Sequence, residues 1–143
     1  MSTGTQTRDG DLVSRSVDPQ RVRVGLVMPF YNEAASLAET LASIAAQTFD
    51  HARLVLIAVD GASTDDSVAI VERFFEQTDI GGTVVGNPRR RIPISLNAGI
   101  RELRLDDLVV RLDAHTTYGP TYVADVVAAF AAGGPDLRTG GRG

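Results

Sequence analysis

Three short stretches of this chain carry side chains whose types and spacing can do chemistry: Pro29-Phe30-Tyr31-Asn32-Glu33, the acidic Asp60-Gly61-Ala62-Ser63-Thr64-Asp65-Asp66, and Arg111-Leu112-Asp113-Ala114-His115. In the last, Asp113 and His115 lie two apart, and in extended backbone residues i and i+2 point to the same side, so a carboxylate and an imidazole can converge on one ion. A lone carboxylate is the hard ligand that Mg²⁺ or Mn²⁺ requires, with substrate phosphate oxygens and water completing the shell. The imidazole suits Mn²⁺ better. The competing reading is a surface histidine next to an unrelated acid. In the first stretch, Tyr31 can stack on a base while Asn32 or Glu33 hydrogen-bonds the base or the ribose. Alternatively, Asn32 caps a following helix and Glu33 complements its dipole. In the second, Asp60 is a candidate for a ribose or base contact, against the plainer role of a loop acceptor. Ser63 and Asp66 have the spacing of a capping box with Asp in place of Glu. Arg89-Arg90-Arg91 can steer or neutralise a diphosphate, or simply sit in a solvated loop.

These stretches need elements to hold them. Nearly continuous apolar runs span Val24 to Met28, Leu54 to Val59 and Leu108 to Leu112, with Thr83 to Val85 as a weaker fourth. Such runs suit strands covered on both faces, as in a parallel sheet. Between them Leu37, Leu41 and Ile44, then Val68, Val71 and Phe75, then Leu96, Ile100 and Leu103 recur at helical spacing. A last helix face is predicted from Val123, Val126, Val127 and Phe130, entered just after Pro120. The alternation predicts an α/β fold, an open three-layer α/β/α sandwich on a mostly parallel sheet, with ligand-binding loops along the C-terminal edge. Residues 1–20, polar and without apolar periodicity, read as a disordered tail; 21–132 read as the nucleotide-binding domain and 133–143 as an irregular end.

Composition narrows the function. The 143 residues carry a net charge of -4 and no cysteine. The charge argues against nucleic acid as the main partner, and the lack of thiols removes disulfide and thiolate-metal frameworks. Without thiols nothing points to an oxidising compartment, so the cytosol is the default, and no apolar stretch reaches bilayer-spanning length. Neither G-x-x-x-x-G-K-[ST] nor a G-x-G-x-x-G after the first strand is present, so the common ATPase and dinucleotide readings lose their main support.

In this order and spacing, VGLVMPFYNEAASLAETLASIAAQTF, LIAVDGASTDDSVAIVERF, NPRRRIPISLNAGIRE and VVRLDAHTTYGPTYV resemble the family-two glycosyltransferases of A-type fold. The N-P-x-R…L-N-A-G-I segment followed by R-L-D-A-H-x-x-Y is most similar to the succinoglycan-synthesis glucosyltransferase subgroup. The resemblance implies that Pro29, Tyr31, Glu33 and Asp60 hold the nucleoside of a nucleotide-diphosphate sugar, usually a UDP-sugar. It puts Asp113 and His115 at the family's D-x-D position, binding Mn²⁺ or Mg²⁺, and places Asn97 and Arg101 on a helix facing the donor. Gly61 stands where many members have a second acid that contacts the base. The implied reaction is inverting transfer of a sugar to a glycan or lipid-linked glycan acceptor, in the cytoplasm or at the inner membrane face by association.

In that family the general base and acceptor pocket follow the D-x-D strand. Here the chain passes through AAGGPDLRTGGRG after Phe130, so the catalytic base is unassigned. The expectation is a donor-binding half, truncated and inactive alone, with a second copy or a partner covering an exposed sheet edge. The rival readings are a non-catalytic nucleotide-sugar binding module acting with a partner chain, and a nucleotidyltransferase. The latter is disfavoured because a Gly- and Arg/Lys-rich loop would then be expected after the first strand.

Overall fold

The computed structural model describes residues 18–87 and 108–133. Strands β1 (Val24–Phe30), β2 (Leu54–Asp60), β3 (Gly81–Gly86) and β4 (Leu108–Arg111) form one sheet in the order β3-β2-β1-β4. Every pairing is parallel. The helices are α1 (Ala34–Ala45), α2 (Ser67–Gln77) and α3 (Tyr122–Ala131), with a single 3-10 turn at His51–Arg53. The α/β fold and parallel sheet are those expected from the alternating apolar runs.

Side chains alternate across a strand, so the even positions of β1, from Val24 to Phe30, line one face of the sheet with Leu56 of β2 and Val110 of β4. Against them pack Leu37, Leu41 and Ile44 of α1, Val71 and Phe74 of α2, and Val123 and Val127 of α3. Odd positions Val27, Ile57 and Val59 form a second buried cluster on the other face. The helix expected over Leu96, Ile100 and Leu103 lies outside the described residues, as do Arg89, Arg90, Arg91, Asn97 and Arg101.

Three details differ from the sequence reading. In α2 the buried ring is Phe74, while Phe75 is half-buried and meets it edge-on at 5.5 Å; both lie within one turn of Val71, and Phe74 takes the inner place. Phe130 is 37% exposed because it falls in the last turn of α3, beyond Val127, the last residue of that helix in the core. Strand β4 alternates, with Leu108 and Val110 buried and Val109 and Arg111 exposed, so among the described residues only one of its faces is covered.

Candidate functional site

In an open parallel sheet, ligands settle in the crevice outside the strand C-termini where the strand order reverses. Here that point lies between β1 and β4, since the chain runs outward through β2 and β3 and then returns to the other side of β1. The β1–β4 ladder ends at Val27 and Arg111, whereas the β1–β2 ladder continues to Phe30 and Asp60. Arg23 and Val27 direct their carbonyls to β4, accepting from Leu108 and Leu112. By the same alternation Pro29 presents its missing N–H on the β4 side, past the last ladder pair, where proline is tolerated inside a sheet. The strands therefore part at the sheet edge, and the loops after β1 and β4 flank the gap.

The loop after β1 is tied to the loop after β2. Asn32, at a left-handed φ of 50° that Asn tolerates, accepts at Oδ1 from the backbone N–H groups of Thr64 (2.8 Å) and Asp65 (3.2 Å). Its own N–H donates to Ser63 Oγ at 3.0 Å. The next two N–H groups, of Glu33 and Ala34, donate to Ser67 Oγ (2.8 Å) and Asp65 Oδ2 (3.1 Å). The N-terminus of α1 is thus capped from the neighbouring loop. Asn32 is not its cap: the N-cap position is Glu33, and no side chain there makes a capping bond. The Ser63/Asp66 capping box does not form either. Asp66 makes no side-chain cap, and Asp65 Oδ1 accepts from Ser67 N instead. These hydrogen bonds, from Ser67 foremost, hold the Asp65 carboxyl below its usual range. Asp60 ends β2 half-buried with Oδ1 accepting from Ser63 N at 2.9 Å, so one carboxylate oxygen shapes its own loop. Pro29 is half-buried in β1 and Tyr31 is 39% exposed at its end.

The loop after β4 is held from the other side, by a polar stripe on α1 beside its apolar one. Ser36, Thr40 and Ser43 recur at steps of four and three, which keeps them on one helix face, and Gln47 follows two residues past the helix end. Ser36 and Thr40 hydroxyls both donate to the Ala114 carbonyl, at 3.3 and 3.1 Å. Ser43 Oγ accepts from Tyr118 N at 3.0 Å. Gln47 Nε2 donates to the Gly119 carbonyl at 2.6 Å, and its Oε1 accepts from Val123 N at 2.9 Å. The sequence reading did not assign these residues, although the spacing of Ser36, Thr40 and Ser43 beside the apolar face of α1 was available as a signal.

Within this frame Leu112 and Ala114 are buried while Asp113 and His115 are exposed, so the two candidate ligands share the outward side. Asp113 lies 3.6 Å from the Arg111 guanidinium, and its N–H donates to the Tyr118 hydroxyl at 2.8 Å. Burial raises the Tyr118 phenol above its ordinary value, against a lowering by the hydrogen bond from the Asp113 N–H and with a smaller raise from the Asp113 carboxylate. His115 Nδ1 stands 3.9 Å from Glu33 Oε2. Glu33, which the resemblance assigned to the nucleoside, therefore faces the imidazole across the gap between the two loops. Among the described residues no group of three or more His, Asp or Glu side chains is arranged to hold an ion by itself.

Residues 26–143 match the family described as Glycosyl transferase family 2. The chain belongs to that family. Over 112 residues it is 31% identical to validoxylamine A glucosyltransferase of Streptomyces hygroscopicus subsp. jinggangensis, a match covering 78% of this chain and 26% of that protein. Over 107 residues it is 33% identical to an undecaprenyl-phosphate 4-deoxy-4-formamido-L-arabinose transferase of Pseudomonas syringae pv. syringae, covering 73% and 31% respectively. The chain thus spans less than a third of the length of these family members. Among solved structures, the mannosyltransferase of Pyrobaculum calidifontis in complex with GDP-Man and Mn²⁺ superposes with a TM-score of 0.70 at 31% identity, over 80% of this chain and 34% of that one. S. aureus TarS in complex with UDP shares the fold, with a TM-score of 0.63 at 21% identity over 75% and 31%. The A-type glycosyltransferase fold is therefore established, and among the described residues no helix is long and apolar enough to cross a membrane.

Proposed function

We propose that this chain grips the nucleoside diphosphate of a sugar donor, together with a divalent metal ion, as the donor-binding part of an inverting glycosyltransferase. The observation that carries this reading is the meeting of the loops after β1, β2 and β4 at the reversal of strand order, with Glu33 and His115 3.9 Å apart across the gap. In this reading Pro29, Tyr31 and Asp60 contact the nucleoside. Asn97 and Arg101, outside the described residues, join them through the family resemblance alone.

The donor set fits a metal that takes most of its shell from elsewhere. Asp113 and His115 are exposed, and one hard oxygen plus one imidazole leave positions for phosphate oxygens and water, the usual pattern for Mg²⁺ or Mn²⁺ at a phosphate. Such an ion offsets the charge of a departing diphosphate. Arg111, 3.6 Å from Asp113, adds positive charge at the same edge. The UDP form of the donor rests on the family resemblance and the GDP form on the mannosyltransferase solved with GDP-Man, and titration decides between them. The polysaccharide role, with a glycan or lipid-linked glycan acceptor, rests on the N-P-x-R…R-L-D-A-H pattern and on the undecaprenyl-phosphate substrate in one relative's name. No residue is assigned as the catalytic base.

Calorimetric titration of UDP, GDP, ADP and dTDP, each with and without Mn²⁺, tests the reading. One nucleotide should bind more tightly with metal, and Asp113→Ala should remove most of that gain while His115→Ala removes less. Tyr31→Ala should weaken binding even without metal, by about 1–3 kcal/mol for a lost stacking contact. Equal affinity with and without Mn²⁺ for all four nucleotides would sink the metal assignment.

A further inference from the structure

We propose that Thr40, assisted by Ser36, is a positioning residue for the metal-binding turn and sets how much a divalent ion strengthens nucleoside-diphosphate binding. The inference rests on the reading that Asp113 and His115 take the ion. The residue between them, Ala114, is 2% exposed, and its carbonyl accepts from both the Thr40 and Ser36 hydroxyls. The N–H of Asp113 is held separately by the Tyr118 hydroxyl. The turn is thereby held at the Asp113 N–H and at the Ala114 carbonyl, which leads directly into His115. Thr40 is 1% exposed on the core-facing side of α1. In a helix interior a Thr hydroxyl ordinarily bonds back to the carbonyl of its own preceding turn, whereas this one crosses to another loop. A buried hydroxyl is costly unless bonded, and an apolar residue of equal size would fill the same space. What valine could not supply at this position is a fixed direction for the Ala114 carbonyl.

The test uses the whole chain titrated with UDP and with GDP, with and without Mn²⁺, alongside thermal unfolding. Thr40→Val removes the donor and keeps the shape; Thr40→Ser keeps the donor. The expected result is that Thr40→Val cuts the metal-dependent gain in affinity about fivefold, as the loss of one net hydrogen bond implies. Metal-free affinity should stay within about twofold, and Thr40→Ser should restore the gain. Retention of the full metal gain by Thr40→Val overturns the proposal. So does an equal loss with and without metal, which would mark Thr40 as a packing residue only. If Thr40→Val does not fold, Ser36→Ala carries the same comparison with a smaller loss expected, about twofold, and an unchanged gain there overturns it equally. Absence of any metal gain in the unsubstituted chain is a different failure, which removes the metal reading itself and this inference with it.

Discussion

Helix α1 begins at the ligand edge and α3 beside the opposite, C-terminal end of α1, and neither is capped by its own N-cap side chain. Each borrows its cap, but from different kinds of place. The Glu33 N–H goes to Ser67, buried at the start of α2, and the Ala34 N–H to exposed Asp65 in the loop before it, where exposed Asn32 completes the tie. The N–H of Val123 in α3 goes to Gln47, 5% exposed at the far end of α1. Water can replace Asp65 and Asn32 but cannot reach Gln47. The loop clamp should therefore matter to where Tyr31, Glu33 and Asp60 stand, and the buried clamp to whether the chain folds around the β4 loop at all.

The largest effect expected is from Gln47→Leu. It leaves the buried Val123 N–H without its partner, while the exposed Gly119 carbonyl keeps the Tyr122 N–H, and a buried unsatisfied group costs about 1–3 kcal/mol. A loss of about 2 kcal/mol in urea unfolding is expected. A loss under 1 kcal/mol would mean that water does enter, and the contrast between the two clamps would fail. Asn32→Ala should show the opposite balance: about 1 kcal/mol of stability, from exposed hydrogen bonds and a left-handed φ that Ala tolerates poorly, but a larger loss of metal-free nucleotide affinity. An Asn32→Ala chain that binds nucleotide normally would show that the loop tie is structural only.

The contrast also explains what was legible in the sequence. Strands β1 and β2 are apolar throughout because they are interior, and their runs marked both the sheet and the edge at which Asp60 ends. Strand β3 was weaker because its edge position leaves Gly81, Gly82 and Thr83 exposed, and because a Cβ at Gly82 would lie 1.9 Å from the Leu56 carbonyl oxygen. The residue types of the site were readable; the partners of Asn32, Ser63 and Gln47 were not. Local capping rules assign such side chains to their own helix, and here the partners lie 31, 31 and 76 residues away, a distance set by tertiary structure that no local pattern encodes.

A smaller effect sharpens the loop side. Ala62 has a φ of 66°, the left-handed region that a side chain enters at a cost of roughly 1–2 kcal/mol. Gly at this place relieves that strain but loses more entropy on folding, so Ala62→Gly should stabilise by about 0.5–1 kcal/mol. Because Ala62 sits between Asp60 and Ser63, the relaxed loop should also lower nucleotide affinity slightly. A gain in both stability and affinity would indicate that the strained backbone contributes nothing to holding Asp60.

The smallest effect separates the two regions by pH. His51, just beyond Gln47, meets Asp79 Oδ1 at 2.6 Å through Nδ1 and the Gln47 carbonyl at 2.9 Å through Nε2. Both partners are acceptors, so the ring is satisfied only as the doubly protonated imidazolium. Its pKa is raised, first by the bond to Asp79 and then by the Gln47 carbonyl, against a lowering by burial; that of Asp79 is lowered by His51. A raised histidine contributes stability that is complete below its unfolded value of about 6.5 and is lost as pH climbs through the folded value. The Asp79 contribution is present above the ordinary aspartate value and lost only in acid. Between these limits the pair supports the Gln47 end of α1. Asp65 on the loop side, with its lowered pKa, titrates only at acid pH. Asp79 is 78% exposed, so the effect is modest and screened by salt. The gap in Tm between the unsubstituted chain and Asp79→Asn should be widest near pH 5.5 and narrow toward pH 8, while the gap for Asn32→Ala stays constant. Equal Asp79→Asn gaps at both pH values would mean that His51 is neutral, and that one of its two short contacts is absent in solution.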